Sequence, residues 1–297
     1  MRILSVALAM LLSTASWSRA AGLSGAAGLS RSAGDGATVG QMMARVRALS
    51  ARSVAGRSRQ AIYYDTTLPA FLFQGGGSVQ GKNGTFFHSD AMVANYRSSD
   101  QRIAVAWLAQ GVDNGNAPVQ YFTIPASTMV SLEDYVTSML GMTGFGAVIV
   151  IGVDSQGVPD MTAELDGQSR IWTFQPGSSG KVSLGLPAVD LMDAIGDTLG
   201  YGLGLRNDSG SRTNIGIVNL DQVSHAWAIQ VLGGNQTASF AVTVPAYSVI
   251  QAAVPDADYG NLFFALKPNA DGFFWSAYGV SVDNISGDSW VSHVNQP

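Results

Sequence analysis

The sequence predicts an all-β protein of two tandem antiparallel β-sandwich domains (Ig-like in pattern), with one or two short helices and a disordered N-terminal leader. Three observations predict it. The 297 residues include 35 glycines and only 12 % charged residues, a mixture that suits short strands joined by tight turns. Many segments alternate apolar and polar residues with a period of two. The body also repeats itself: Met92-Val93-Ala94-Asn95 returns 124 residues later as Gly216-Ile217-Val218-Asn219. An alternating strand buries one face and wets the other, so two sheets must meet over each core.

Residues 1–20 read as a signal peptide. Arg2 supplies the positive start, residues 3–12 an apolar run of ten, and Ser18-Arg19-Ala20 the small residues of a cleavage site after Ala20. The run is shorter than the roughly 20 apolar residues that span a bilayer. A buried N-terminal helix is the alternative. The expected address is therefore secreted, periplasmic or cell-surface. No cysteine follows the run, so a lipid anchor is not expected, and no later stretch predicts a membrane helix.

Residues 21–60 form a low-complexity basic leader with six arginines against one acid, whereas the chain from residue 61 onward carries eight basic and twenty acidic residues. An acidic body argues against nucleic acid as a partner. The leader reads as a solvated linker or as a segment touching anionic lipid or polymer. Within it, residues 39–54 form a weak helical patch, with Met42, Met43, Val46 and Leu49 at helical spacing.

The first sandwich is expected over residues 61–200 and the second over 201–297. Residues 70–73 and 201–205 open the two copies. Ile103, Val105 and Trp107 line one face of a strand, as Trp227, Ile229 and Val231 do in the second copy. After a four-residue gap, Phe122-Thr123-Ile124-Pro125-Ala126 matches Val242-Thr243-Val244-Pro245-Ala246, each strand stopping at its proline. Residues 146–151 match 260–266, and 164–174 match 275–285. Two helices are predicted, over 131–140 with Ser131 as cap and over 187–199 beginning at Pro187.

The order of these strands resembles the small β-sandwich of the sensory rhodopsin transducer family. It is also similar to tandem β-sandwich units of exported, uncharacterised bacterial proteins. The residues carrying the second likeness are Arg212-Thr213-Asn214-Ile215-Gly216 and Val282-Asp283-Asn284. The resemblance implies a binding or scaffolding role and oligomeric assembly. The signal peptide and the linkage of two copies depart from the transducer pattern, so a different partner is expected.

No residue is assigned a catalytic, cofactor-binding or metal-binding role. Zero cysteine removes thiol chemistry and Cys-ligated zinc. The three histidines, His88, His225 and His293, are not expected to converge, His88 and His225 lying in corresponding regions of different copies. No nucleophile elbow or zincin motif occurs. Gly177-Ser178-Ser179-Gly180-Lys181 lacks the glycine and Ser/Thr of a phosphate loop and predicts a hairpin turn. Asp154, Asp160, Glu164 and Asp166 could offer oxygen ligands to calcium, and Asp113-Asn114-Gly115-Asn116 predicts a turn. Asn95 and Asn219 follow apolar strands, where asparagine bonds local backbone and tolerates left-handed geometry. Phe86-Phe87, Phe263-Phe264 and Phe273-Phe274-Trp275 are expected to seal the interface between sandwiches, or to stack on sugars where exposed.

The expected function is that of an exported non-enzymatic binding or surface-structural protein with a protein or glycan partner at the envelope or outside the cell. A carbohydrate-binding or carbohydrate-active protein is the alternative. A homo-oligomer repeating through strand edges is the third reading.

Overall fold

The structure, a computed structural model, describes residues 28–53, 69–81, 84–175, 177–191, 194–196, 199–234 and 236–294. The signal-peptide reading of residues 1–20 lies outside these. A short strand β1 (Ser30–Arg31) and helix α1 (Val39–Ser53) precede a first group of strands. These are β2 (Ala70–Gln80), β3 (Phe86–Asn95), β4 (Gln101–Ala109), β5 (Gln120–Ile124) and β6 (Thr128–Leu132). Helix α2 (Tyr135–Ser138) follows, then β7 (Gly144–Val153), β8 (Leu165–Phe174) and β9 (Lys181–Pro187). Two short strands, β10 (Val189–Asp190) and β11 (Ile195–Gly196), lead to the second group. That group holds β12 (Gly200–Asn207), β13 (Ser211–Asn219), β14 (His225–Gly233), β15 (Gln236–Val244), β16 (Ser248–Ala253), β17 (Gly260–Pro268), β18 (Phe273–Asp283) and β19 (Ser289–His293).

The protein is mostly β, and its strands pair antiparallel in three sheets. In the first half one sheet turns back on itself through β2, which pairs β7 over most of its length and β3 only at Val79 and Gln80. Its two flanks run β5-β4-β7-β2 and β6-β3-β8-β9. The second half has the matching orders β15-β14-β17-β12 and β16-β13-β18-β19 in separate sheets. The registers agree as well: Ile103 faces Phe122 as Trp227 faces Val242, and Trp107 faces Val148 as Val231 faces Phe264.

Each pair of facing flanks encloses a core. The first gathers Phe71, Phe73, Val105, Trp107, Ile124 and Tyr135, with others. The second is built around Trp227, Trp275, Ile217, Val231 and Phe264. A third cluster joins the halves. There Ala104, Ala106, Leu108, Ile149 and Ile151, on the outer side of β4 and β7, pack with Val218, Leu220, Val249 and Phe274 of the second half. Strands β4 and β7 are thus buried on both faces, where one wet face was expected. Asn114, whose Nδ2 donates to the carbonyls of Ala109 (3.0 Å) and Tyr247 (2.8 Å), also ties the halves together.

Three expectations are corrected. Within the leader expected to be disordered, residues 28–53 hold β1 and α1. The helix fills the third cluster with Val39, Met42, Met43 and Val46. Its apolar stripe is narrow, but it meets apolar surface from both halves. Burial adds roughly 1.5–3 kcal/mol per fully covered aliphatic side chain. Thr38 and Gln41 close a capping box, each side chain accepting the other's backbone N–H at 3.0 and 3.3 Å. Arg47 pairs with Asp221 at 3.0 Å and donates to the Leu220 carbonyl at 2.7 Å. Asp35 accepts the Tyr121 hydroxyl (2.6 Å), Arg45 (2.7 Å) and the Ala37 N–H (3.0 Å). Against the upward push of burial, these bonds hold its carboxyl down at about 2.

The helix expected over 131–140 shrinks to Tyr135–Ser138, because Thr128–Leu132 pairs with β3 and Ser131 sits in that strand. The helix expected over 187–199 is replaced by extended chain: Val189 and Asp190 pair with β2, Ile195 and Gly196 with β18. Residues 192–193 and 197–198 are outside the described set. Free strand edges satisfy this backbone, and that long-range pairing overrides the local proline-first helix signal.

Candidate binding face

The outer side of β6-β3-β8-β9 is the one broad face of the first half that nothing in the described chain covers. The alternation along β3 sends Ser89, Ala91, Val93 and Asn95 inward and leaves Phe86, His88, Asp90 and Met92 outward. Pairing with β8 sets His88 beside Trp172, Asp90 beside Arg170 and Met92 beside Gln168. Pairing with β6 sets Ala94 beside Met129, and β9 brings Lys181 beside Phe174.

An aromatic group occupies one end. The His88 and Trp172 rings stack with centroids 4.6 Å apart and an interplanar angle of 21°. Phe86 lies 4.9 Å from His88, and Phe174 meets Trp172 edge-on at 5.5 Å. The Lys181 ammonium sits 3.7 Å from the Trp172 centroid, within cation–π range. Phe86 and Phe174 remain exposed. The expectation that Phe86 seals an interface is therefore corrected, as it is for Phe263, which is exposed on the outer side of β17; Phe274 is buried between the halves as expected, whereas Phe264, Phe273 and Trp275 are buried inside the second unit's own core.

Beside the rings lies a polar group. Arg170 donates from Nε (3.0 Å) and Nη2 (2.7 Å) to Asp90 Oδ2, and the Asp134 N–H donates to Asp90 Oδ1 at 3.0 Å. Burial pushes the Asp90 carboxyl up, but the Asp134 N–H and the Arg170 guanidinium hold it below the usual carboxylate range. Asp134 adopts a left-handed backbone (φ 44°) and brings Oδ2 to 3.3 Å from His88 Nδ1. The face thus offers ring planes, an ammonium, a neutralised ion pair and methionine on a paired sheet. These are groups for docking a surface.

The other singled-out residues lie elsewhere. His88 is on β3 and His225 on β14, which are not equivalent strands, so their expected correspondence is corrected. His225 stacks on Phe273 at 3.7 Å and 7°, with Nε2 2.8 Å from Asp221 Oδ2. His293 reaches across the halves, its Nδ1 3.0 Å from Gln74 Oε1. Three of the four acids over 154–166 bond their own turns: Asp154 accepts the N–H groups of Gln156 and Val158, Asp160 that of Thr162, and Asp166 that of Gly167. Asp160 also pairs with Arg97 at 2.6 Å. Among the described residues no three His, Asp or Glu side chains gather as metal ligands. Residues 177–180 form the turn between β8 and β9, and the Gly115 N–H donates to Asp113 in a local turn. The aromatic end was half legible: the phenylalanine pairs were visible, but Trp172 and Lys181 join them only through strand register.

No family model matches the chain, and no curated protein matches it. Among solved structures, a lectin from Pleurotus ostreatus in complex with GalNAc aligns at 9 % identity and a TM-score of 0.19. That alignment covers 77 % of this chain and 83 % of the lectin. The apo form of the Pleurotus ostreatus lectin aligns at 9 % identity and a TM-score of 0.20, over 79 % and 86 % of the two chains. At these TM-scores the likeness carries no inference about fold or ligand.

Proposed function

We propose that this chain is an exported, non-enzymatic binding protein. Its two tandem β-sandwich units, over 61–200 and 201–297, are of the kind the transducer-like strand order implies, and the outer side of β6-β3-β8-β9 engages a protein partner at the envelope or outside the cell. One observation carries the reading: Phe86 and Phe174 stand exposed around a stacked His88–Trp172–Lys181 group on a sheet. Aromatic and arginine side chains are enriched in protein interfaces, and both occur at this end of the face, with Arg170 beside the rings. A glycan is the second reading, favoured by the exposure of the two phenyl rings.

The test compares the wild type with a Phe86→Ser/Phe174→Ser double variant. The two proteins are immobilised and exposed to an envelope extract before and after protease digestion, and to a glycan array. Capture that digestion and the double substitution both abolish supports a protein partner. Capture that survives digestion, or array signal lost in the variant, moves the reading to a glycan. Equal behaviour of wild type and variant refutes this face.

A further inference from the structure

The contact between the halves is heterologous: each unit buries a different outer face. The first unit gives its β4–β7 side, and the second gives its β13–β16–β18 side. Among the described residues, each unit therefore keeps free the face its sibling uses. Heterologous contacts between like units leave two complementary faces open, and these propagate as open chains or close as rings.

The free faces correspond position by position to the buried ones. On the first unit, Ala94 pairs with Met129 as Val218 pairs with Val249. The Tyr96 N–H donates to the Glu164 carbonyl at 2.9 Å as the Leu220 N–H donates to that of Phe274 at 3.0 Å. Val249 and Leu220 are 0 % exposed between the halves, whereas Met129 is 64 % and Tyr96 52 % exposed. Large apolar side chains thus stand uncovered where their counterparts are sealed. On the second unit, Leu232 pairs with Phe263 as Leu108 pairs with Ala147, and Ala228 with Lys267 as Ala104 with Ile151. Leu108 and Ala147 are buried, while Phe263 is 38 % exposed. Charge agrees too: Glu164 and Asp166 border the first patch, and Lys267 lies in the second.

We infer that the chain assembles head to tail with further copies of itself. The Met129–Tyr96 patch of one molecule docks on the Phe263–Leu232 patch of the next, using the faces equivalent to those that meet within one chain, there with α1 between them. The Met129 patch is separate from the aromatic end: Ala94, the strand partner of Met129, is six residues from His88 along β3, about 20 Å at the rise of a strand. The inference therefore stands or falls independently of the proposed partner.

The experiment is sedimentation velocity of the mature protein across a concentration series, with Met129→Asp and Phe263→Asp as single variants and as a mixture. The wild type is expected to form species that grow past the dimer with concentration. Each variant should lower the association constant by roughly 30-fold or more, as loss of a central apolar anchor does, while keeping the wild-type near-ultraviolet circular dichroism. The equimolar mixture is the decisive arm. Met129→Asp retains an intact Phe263 patch and Phe263→Asp an intact Met129 patch, so the two should form a dimer that grows no further. Should Met129→Asp not fold, Tyr96→Ser replaces it. A strict monomer at every concentration, a wild type that stops at a dimer, or a mixture that stays monomeric overturns the inference. Assembly seen only after deletion of residues 21–27 would assign the patch to that segment and overturn it as well. The Phe86→Ser/Phe174→Ser variant should assemble like the wild type; its failure to do so would place the contact at the aromatic end and refute the patch named here.

Discussion

Asn95 and Asn219 make the same four hydrogen bonds in the two halves of the molecule. Asn95 Nδ2 donates to the carbonyls of Ser99 (2.9 Å), Ile124 (3.3 Å) and Pro125 (3.0 Å), and Oδ1 accepts the Arg97 N–H (3.1 Å). Asn219 Nδ2 donates to those of Val223 (2.8 Å), Val244 (3.2 Å) and Pro245 (2.9 Å), and Oδ1 accepts the Asp221 N–H (2.9 Å). Each side chain closes its own turn and pins it to the end of the strand two elements on. The left-handed geometry expected of the asparagines belongs instead to Ser127 and Tyr247, just beyond the two Pro-Ala pairs (φ 49° and 47°).

Both asparagines are buried. Asn95→Ala and Asn219→Ala should each cost about 2–4 kcal/mol, since buried carbonyls lose their donor. Asn95→Asp should cost more than Asn95→Ala, because it sets a carboxylate oxygen against those carbonyls. Urea midpoints measure both, and a near-neutral Asn95→Ala would refute the pinning role.

Ser127→Gly should stabilise by about 0.5–1 kcal/mol. A left-handed backbone strains a side chain by about 1–2 kcal/mol, and the extra freedom of glycine in the unfolded chain takes back part of that gain. The same substitution at Tyr247 should destabilise by several kcal/mol, on the order of an aromatic-to-alanine change in a core, because that ring is buried between the halves. Thermal melts of the two variants should move in opposite directions.

The Tyr135 hydroxyl is fully buried without a hydrogen-bond partner among the described residues, and burial pushes its ionisation far above the usual tyrosine range. Tyr135→Phe should therefore raise stability by about 1 kcal/mol. A Cβ at Gly76 would lie 2.5 Å from that oxygen but 3.4 Å from the ring carbon behind it. Gly76→Ala should consequently be strongly destabilising in the wild type and much less so beside Tyr135→Phe. A double-mutant cycle reads this coupling, and additive effects would refute the contact.

His293 should make the contact between the halves acid-sensitive. Gln74, which meets its ring, also donates to Ser276 Oγ (2.7 Å) and the Ala277 carbonyl (3.0 Å). Burial lowers the His293 imidazole below its ordinary 6.5. The native state therefore holds the neutral ring where the unfolded chain already binds a proton. Stability should fall as pH drops below about 6.5, until the lowered native value is passed. His293→Gln should flatten that segment of the profile. The carboxylates held low, such as Asp35, lose their contribution only below about pH 4, so the two windows separate in a pH series of denaturant melts.

By itself the sequence determined that the chain is mostly β and how its longer strands repeat, though part of β6 and both β10 and β11 fell in predicted helices. Alternation in steps of two is local, so Trp107 and Val231 declare their inward faces without any partner, and Pro125 and Pro245 end their strands wherever the chain goes. Only the tertiary structure decided which outward faces meet water. Ala106 and Gln230 occupy one register position in the two halves, and Val249 and Met129 another, yet one of each pair is buried and the other exposed. A local pattern says which way a side chain points; whether a surface distant in sequence arrives to cover it depends on how the two halves and α1 pack. The same reason kept β10 and β11 from being legible, and left α1, readable as the helical patch over 39–54, without the partner that orders it: their stability comes from edges and faces supplied by the rest of the chain.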